Sequence, residues 1–152
     1  MKNLKVGLIG YGYWGKNIAR NLYDLKVLTC IFDNNFSSMN KAKELYSELT
    51  FYSDINLILN SNIDAVFISS PAKTHNDLVK MSLKAKKHVF VEKPLCLNYE
   101  EGVELKKLAN KNNRKLMVGH LLLYHPAFIA LKNIIDSGTI GNIRYIYSNR
   151  LS

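Results

Sequence analysis

Near the start of the chain, Gly10-Tyr11-Gly12-Tyr13-Trp14-Gly15 sets three glycines at the spacing G-x-G-x-x-G. Each missing Cβ lets something come close. Gly10 lets the chain leave a strand in a tight turn. Gly12 lets a pyrophosphate approach the backbone, and Gly15 lets the next helix pack on the strand. The free amides and positive dipole end of that helix then face the phosphates. Asp33 lies 23 positions after Gly10, close to the spacing of a carboxylate that takes hydrogen bonds from the adenosine ribose hydroxyls. Such a carboxylate repels a 2′-phosphate, so the pattern reads as NAD rather than NADP. No Arg follows to offset it; Asn34 and Asn35 come next. Gly10 to Lys16 also matches G-x-x-x-x-G-K, but Asn17 stands where a nucleoside-triphosphate loop needs Ser or Thr to hold magnesium. That reading also leaves Asp33 unexplained.

These residues need elements to position them. Leu4 to Ile9 is an apolar strand and 13–24 a helical pattern. A second apolar run, Val27 to Phe32, leads into Asp33. Ser37 or Ser38 could cap a helix running to about Glu48, and Asp54 could cap a short helix over 55–60. Strands follow over 50–52, 63–68, 88–91 and 115–119, with helices over 75–86 and 99–112 between the later ones. This alternation predicts an α/β fold, a doubly wound parallel (Rossmann) sheet with right-handed crossovers. Ligands of such sheets bind beyond the carboxyl ends of the strands, where Gly10, Asp33, Ser69, Glu92 and Gly119 all fall. From His120 the pattern changes: a helix over 127–137 stops at Gly138, and 143–148 reads as a strand. The expected organisation is a dinucleotide-binding domain over 1–120, then, over 121–152, a linker helix and the opening strand of a second α+β domain.

Composition narrows the function classes. The 152 residues are 47% hydrophobic, enough for a core, and carry a net charge of +9. The lysines are scattered, densest over 80–87 on a helix end, so a solvated helix face explains them and nucleic acid is not the expected partner. A positive field still attracts an anionic ligand such as NAD or a nucleotide sugar. No apolar run has the length of a membrane span, and with Met1-Lys2-Asn3 leading directly into the first strand no signal peptide is expected. Cys30 and Cys96 form no disulfide framework, so a reduced, cytoplasmic setting is expected. His120 and His125 are poorly spaced for a metal, and none is expected. Glu92-Lys93-Pro94, taken alone, could be a strand end with an exposed ion pair.

With the glycine turn upstream, Glu92-Lys93-Pro94 at the end of the fifth strand resembles the Gfo/Idh/MocA oxidoreductase family. The resemblance covers the chain almost end to end, but only the family's N-terminal domain and the first strand beyond it. The wording of Gly10 to Asn17 and of Gly119 to Pro126 is similar to the branch that oxidises UDP-linked N-acetylhexosamines. Family members are two-domain NAD(P)-dependent enzymes acting mostly on sugars, cyclitols and sugar nucleotides. The resemblance implies that Lys93 sits beside the nicotinamide and the reacting hydroxyl as the catalytic, proton-handling group, with Pro94, in a cis peptide, aiming it. It implies that Ser69, Ser70, Pro71 and His75 line the nicotinamide-ribose side, although His75 could equally cap the following helix. Tyr11, Tyr13 and Trp14 would border the cofactor's mouth, and Glu92 would belong to the same cofactor site. The family's catalytic His lies in the second domain. The chain is therefore expected to be the cofactor part of a sugar or sugar-nucleotide dehydrogenase, cut short. The alternative is a stand-alone NAD-binding regulatory module without catalysis. In either case the 143–148 strand could pair in a homo-oligomer.

Overall fold

Short apolar runs and amphipathic segments alternate along the chain and become strands and helices in turn. The computed structural model describes residues 4–149. They fall into two units, the first running through Gly119 and the second starting at His120. In the first unit, β1 (Val6–Ile9), β2 (Leu28–Phe32), β3 (Thr50–Tyr52), β4 (Ala65–Ile68), β5 (His88–Val91) and β6 (Leu116–Val118) form one sheet of order β3-β2-β1-β4-β5-β6. Every pair is parallel. β1 lies between β2 and β4, so the winding reverses there, and a crevice opens beyond the strand ends at that point.

A parallel sheet covered on both faces needs strands that are apolar on both sides. On one face Val6 and Leu8 pack with Ala19 and Leu22 of α1 (Gly15–Asp24) and Ala42 of α2 (Phe36–Leu45). On the other, Ile9, Val66 and Ile68 pack with Ile58 of α3 (Ile55–Asn60), Val79 and Leu83 of α4 (His75–Lys84) and Leu105 of α5 (Tyr99–Lys111). Each fully buried aliphatic side chain contributes roughly 1.5–3 kcal/mol.

Helix ends follow local chemistry. Asp54 caps α3 as its sequence predicts, accepting from Asn56 N at 2.7 Å. The cap of α2 differs from expectation. Asn35, not Ser37 or Ser38, accepts from Ser38 N at 3.0 Å, because the helix already begins at Phe36 and takes both serines into its first turn. That helix also stops at Leu45 rather than near Glu48, where Tyr46 leaves helical geometry with φ −134°.

The second unit holds a 3₁₀ turn, Leu121–Tyr124, and α6 (Pro126–Asp136). The expected strand over 143–148 does not form: residues 143–149 have no regular structure. A strand needs a neighbour for its N–H and C=O groups, and the described part of this unit contains no other strand. Tyr145, Ile146 and Tyr147 are exposed.

Candidate functional site

The site grows from the carboxyl ends of β1, β2, β4 and β5. Gly10 turns away from β1 with φ +96°, in the left-handed region that suits glycine. A Cβ there would come within 2.5 Å of Ser69 O and 2.7 Å of Ser69 C. A Cβ on Gly15 would overlap Gly10 O. Gly12 differs from both: nothing lies within 4 Å of its missing Cβ, so its face is open. Beyond it, α1 begins with no side-chain cap and no acid in its first turn. Lys16 N and Asn17 N already donate to Gly12 O and Trp14 O at 3.2 and 3.0 Å, so it is the amides of the turn, Gly12 to Gly15, that have no acceptor among the described residues and are left for another. Open backbone at Gly12 beside these turn amides fits the pyrophosphate of a dinucleotide.

Asp33 follows β2, and both its oxygens are fixed. Oδ2 accepts from Tyr11 N at 2.6 Å and Oδ1 from Asn35 N at 2.6 Å. Each oxygen has a second lone pair that can take a ribose hydroxyl. Gly10, Gly12, Asp33, Ser69, Ser70 and Pro71 line one cleft of about 380 Å³, within the usual range for a ligand site. Six of the sequence-predicted residues thus meet in one place, with Gly15 packed behind Gly10.

The others do not line this cleft. Tyr13 is fully turned to solvent. Tyr11 does not border the mouth. Its ring is buried in the core and packs edge-on against Tyr46 with centroids 6.3 Å apart. Burial, then Tyr46 beside it, pushes its phenol from 10.0 up to about 12. His75 caps nothing. It is 1% exposed, with Nδ1 2.6 Å from Pro94 O and Nε2 2.8 Å from Ser70 O. The ring ties the turn after β4 to the turn after β5. Ser70 Oγ is in turn 2.7 Å from Thr74 Oγ1, which donates to Pro71 O at 2.8 Å. The Lys93–Pro94 peptide is cis, and the Lys93 side chain is exposed. Trp14 and Glu92 touch each other, Nε1 donating to Oε1 at 2.8 Å, and neither lines the cleft.

Some lining residues carry no motif. Ser38, Thr74 and Leu78 reach the cleft from α2, from the turn before α4 and from α4 itself. Their only sequence signal is position, within a few residues of Asp33 or Pro71 in elements that start beyond strand ends.

Comparison with known proteins agrees with this geometry. Residues 4–120 match the family model described as oxidoreductase family, NAD-binding Rossmann fold, of the Gfo/Idh/MocA group. The chain belongs to this family. It is 31% identical over 150 residues to 2,7-anhydro-N-acetylneuraminate hydratase of Escherichia coli, an alignment covering 97% of this chain and 40% of that protein. It is 29% identical over 154 residues to UDP-N-acetylglucosamine 3-dehydrogenase of Acidithiobacillus ferrooxidans, covering 100% and 47%. Among solved structures, scyllo-inositol dehydrogenase of Lactobacillus casei with bound NAD(H) and scyllo-inositol superposes with a TM-score of 0.86 at 28% identity, over 93% of this chain and 43% of that one. The chain spans less than half the length of each. The family's NAD-binding Rossmann domain is thus what residues 4–120 supply.

Proposed function

We propose that this chain binds NAD at the carboxyl edge of its sheet and forms the cofactor half of an oxidoreductase. Its substrate is a hydroxyl of a sugar, cyclitol or sugar nucleotide. The observation that carries the reading is Gly12, open on its missing side chain, at the start of α1, which no side chain caps, and lining one cleft with Asp33. The substrate class is supported by the relatives' names, which include a UDP-sugar dehydrogenase and a cyclitol dehydrogenase. The hydratase among them fits the same cofactor domain serving more than one net reaction.

When bound, the nicotinamide supplies a hydride acceptor. The chain's own residues do the rest. Gly10 and Gly15 shape the turn, and Gly12 with the amides of the turn leading into α1 takes the pyrophosphate. Asp33 takes the ribose and disfavours a 2′-phosphate by charge repulsion. Lys93 donates from its ammonium to the substrate oxygen and orients it, and the proton that leaves would pass to the family's catalytic His, which belongs to the second domain. His75 holds the Ser69–Pro71 turn and Pro94 in register from beneath. Free Cys30 and Cys96 suit a reduced, cytoplasmic setting, and no described helix is long and apolar enough to cross a membrane.

Calorimetric titration with NAD and NADP tests the cofactor half. NAD should bind about tenfold or more tightly than NADP, a preference of roughly 1.4 kcal/mol. No heat with either nucleotide, or tighter binding of NADP, would overturn it.

A further inference from the structure

Glu92 follows β5 and is 9% exposed, and its carboxylate is engaged at both oxygens. Oε1 accepts from Trp14 Nε1 at 2.8 Å, and Oε2 accepts from the backbone N of Lys93 at 3.3 Å. The end of β6 lies close behind: a Cβ on Gly119 would come 3.1 Å from Oε1 and 3.2 Å from Cδ. The carboxylate therefore has little room to turn. The Trp14 bond spans 78 residues. It joins the turn that takes the phosphates to the turn that carries Lys93. Trp14 uses its backbone in its own helix, with its O accepting from Asn17 N and Ile18 N. Its side chain caps nothing, so the indole is committed to the remote partner.

We propose that Trp14 is a positioning residue for Lys93, acting through Glu92. The role rests on the reading of Lys93 as the group beside the reacting centre. A carboxylate has two acceptor oxygens and no donor, so it can hold two N–H groups at once. Gln at this position has one acceptor and an NH₂, so it can keep the indole or the Lys93 amide but not both. Phe at position 14 keeps a ring and loses the N–H. Seating of the phosphate turn and placement of Lys93 are thereby coupled by one side chain.

A double-mutant cycle of W14F, E92Q and W14F/E92Q in the full chain tests this, read by amide hydrogen exchange at Lys93, with the Ile31 amide of β2 as internal control. Lys93 should exchange about threefold faster or more in each single variant, consistent with coupling inside one hydrogen-bond network. The double variant should be no faster than the faster single one, and Ile31 should not change. Trp14 is the only tryptophan, so its single indole N–H resonance should move in E92Q and further in E92A. Unchanged Lys93 exchange in W14F, or effects that multiply in the double variant, would overturn the proposal. If W14F does not fold, E92A decides: an indole resonance left where it is in the wild type sinks the idea. An NAD titration of the wild type separates the two readings. Failure to bind removes the dinucleotide reading, whereas the exchange cycle without nucleotide judges the coupling alone.

Discussion

Two lysines bracket β5, Lys87 before it and Lys93 after it, and the sheet uses them in opposite ways. Lys87 turns its ammonium inward and donates to Ser61 O at 2.9 Å and Ile63 O at 2.8 Å. Burial holds its pKa below the ordinary lysine value. Around it Asp64 accepts from Lys5 N at 2.9 Å, and His88 Nδ1 from Lys115 N at 3.0 Å. The polar side chains of this edge are spent on satisfying backbone groups. At the other edge the turns are built from glycines and small residues, the scaffolding bonds run through His75 and Glu92, and Lys93 faces solvent. Charge alone therefore does not mark function in this fold. The lysine at the start of this strand is spent on the sheet, and the one after its end is left to solvent.

The comparison breaks most severely at Gly10. A methyl group there meets the Ser69 backbone in a left-handed turn, and backbone cannot swing aside as a flexible side chain can. Gly10→Ala should cost about 3 kcal/mol or more from overpacking and φ strain together. It should also abolish NAD binding. Thermal unfolding and calorimetry would check both, and an unshifted melting temperature would show that the turn has slack absent from this structure.

Lys87→Ala should come next, and on stability alone. It leaves two carbonyls without their charged donor, at about 2–3 kcal/mol, and lies at the opposite end of β5 from Lys93. Denaturant midpoints should fall while NAD affinity in the folded population stays within about twofold, a difference of roughly 0.4 kcal/mol. A matching loss of affinity would mean that the two edges are not independent.

Gly12→Ala is the converse. With nothing within 4 Å of its missing Cβ, the fold should accept a methyl group with no measurable change in melting temperature. NAD affinity should drop about tenfold, or roughly 1.4 kcal/mol, because the methyl stands where the pyrophosphate must approach. Equal affinity for wild type and variant would remove Gly12 from the phosphate site.

The sequence carried the order of elements and the glycine turn because both are local. Apolar runs of strand length, a cap such as Asp54 and a glycine triplet state their geometry within a few residues. What it did not carry depends on long-range pairing. The Trp14–Glu92 bond and the two carbonyls clasped by His75 exist only once turns distant in sequence are brought together by the sheet. The same holds for 143–148, whose alternating apolar residues satisfy the local rule for a strand. A strand, however, is completed by a neighbour, and the local pattern is silent on whether one is present. Tyr11 shows a third kind of miss. Its place inside the glycine run pointed to the cofactor, but the turn at Gly10 sends its ring to the core, beside Tyr46.

That placement makes Tyr11 a ligand-edge residue with a core role, and its titration gives the smallest test. Its phenol sits at about 12 in the fold against an ordinary 10.0, from burial first and Tyr46 second. The folded chain therefore keeps this proton in a range where the unfolded chain has lost it. The resulting stability is fully present below pH 10 and is lost as the pH rises through about 12. By about pH 11 the loss should be roughly 1.4 kcal/mol, one pKa unit's worth, and Tyr11→Phe should lack it. Denaturant unfolding of both chains across this range reads the effect. The variant's lost hydroxyl contact with Tyr46 adds only a constant offset. Parallel stability curves for the two chains would mean that Tyr11 reaches water in the folded state and belongs with the ligand edge after all.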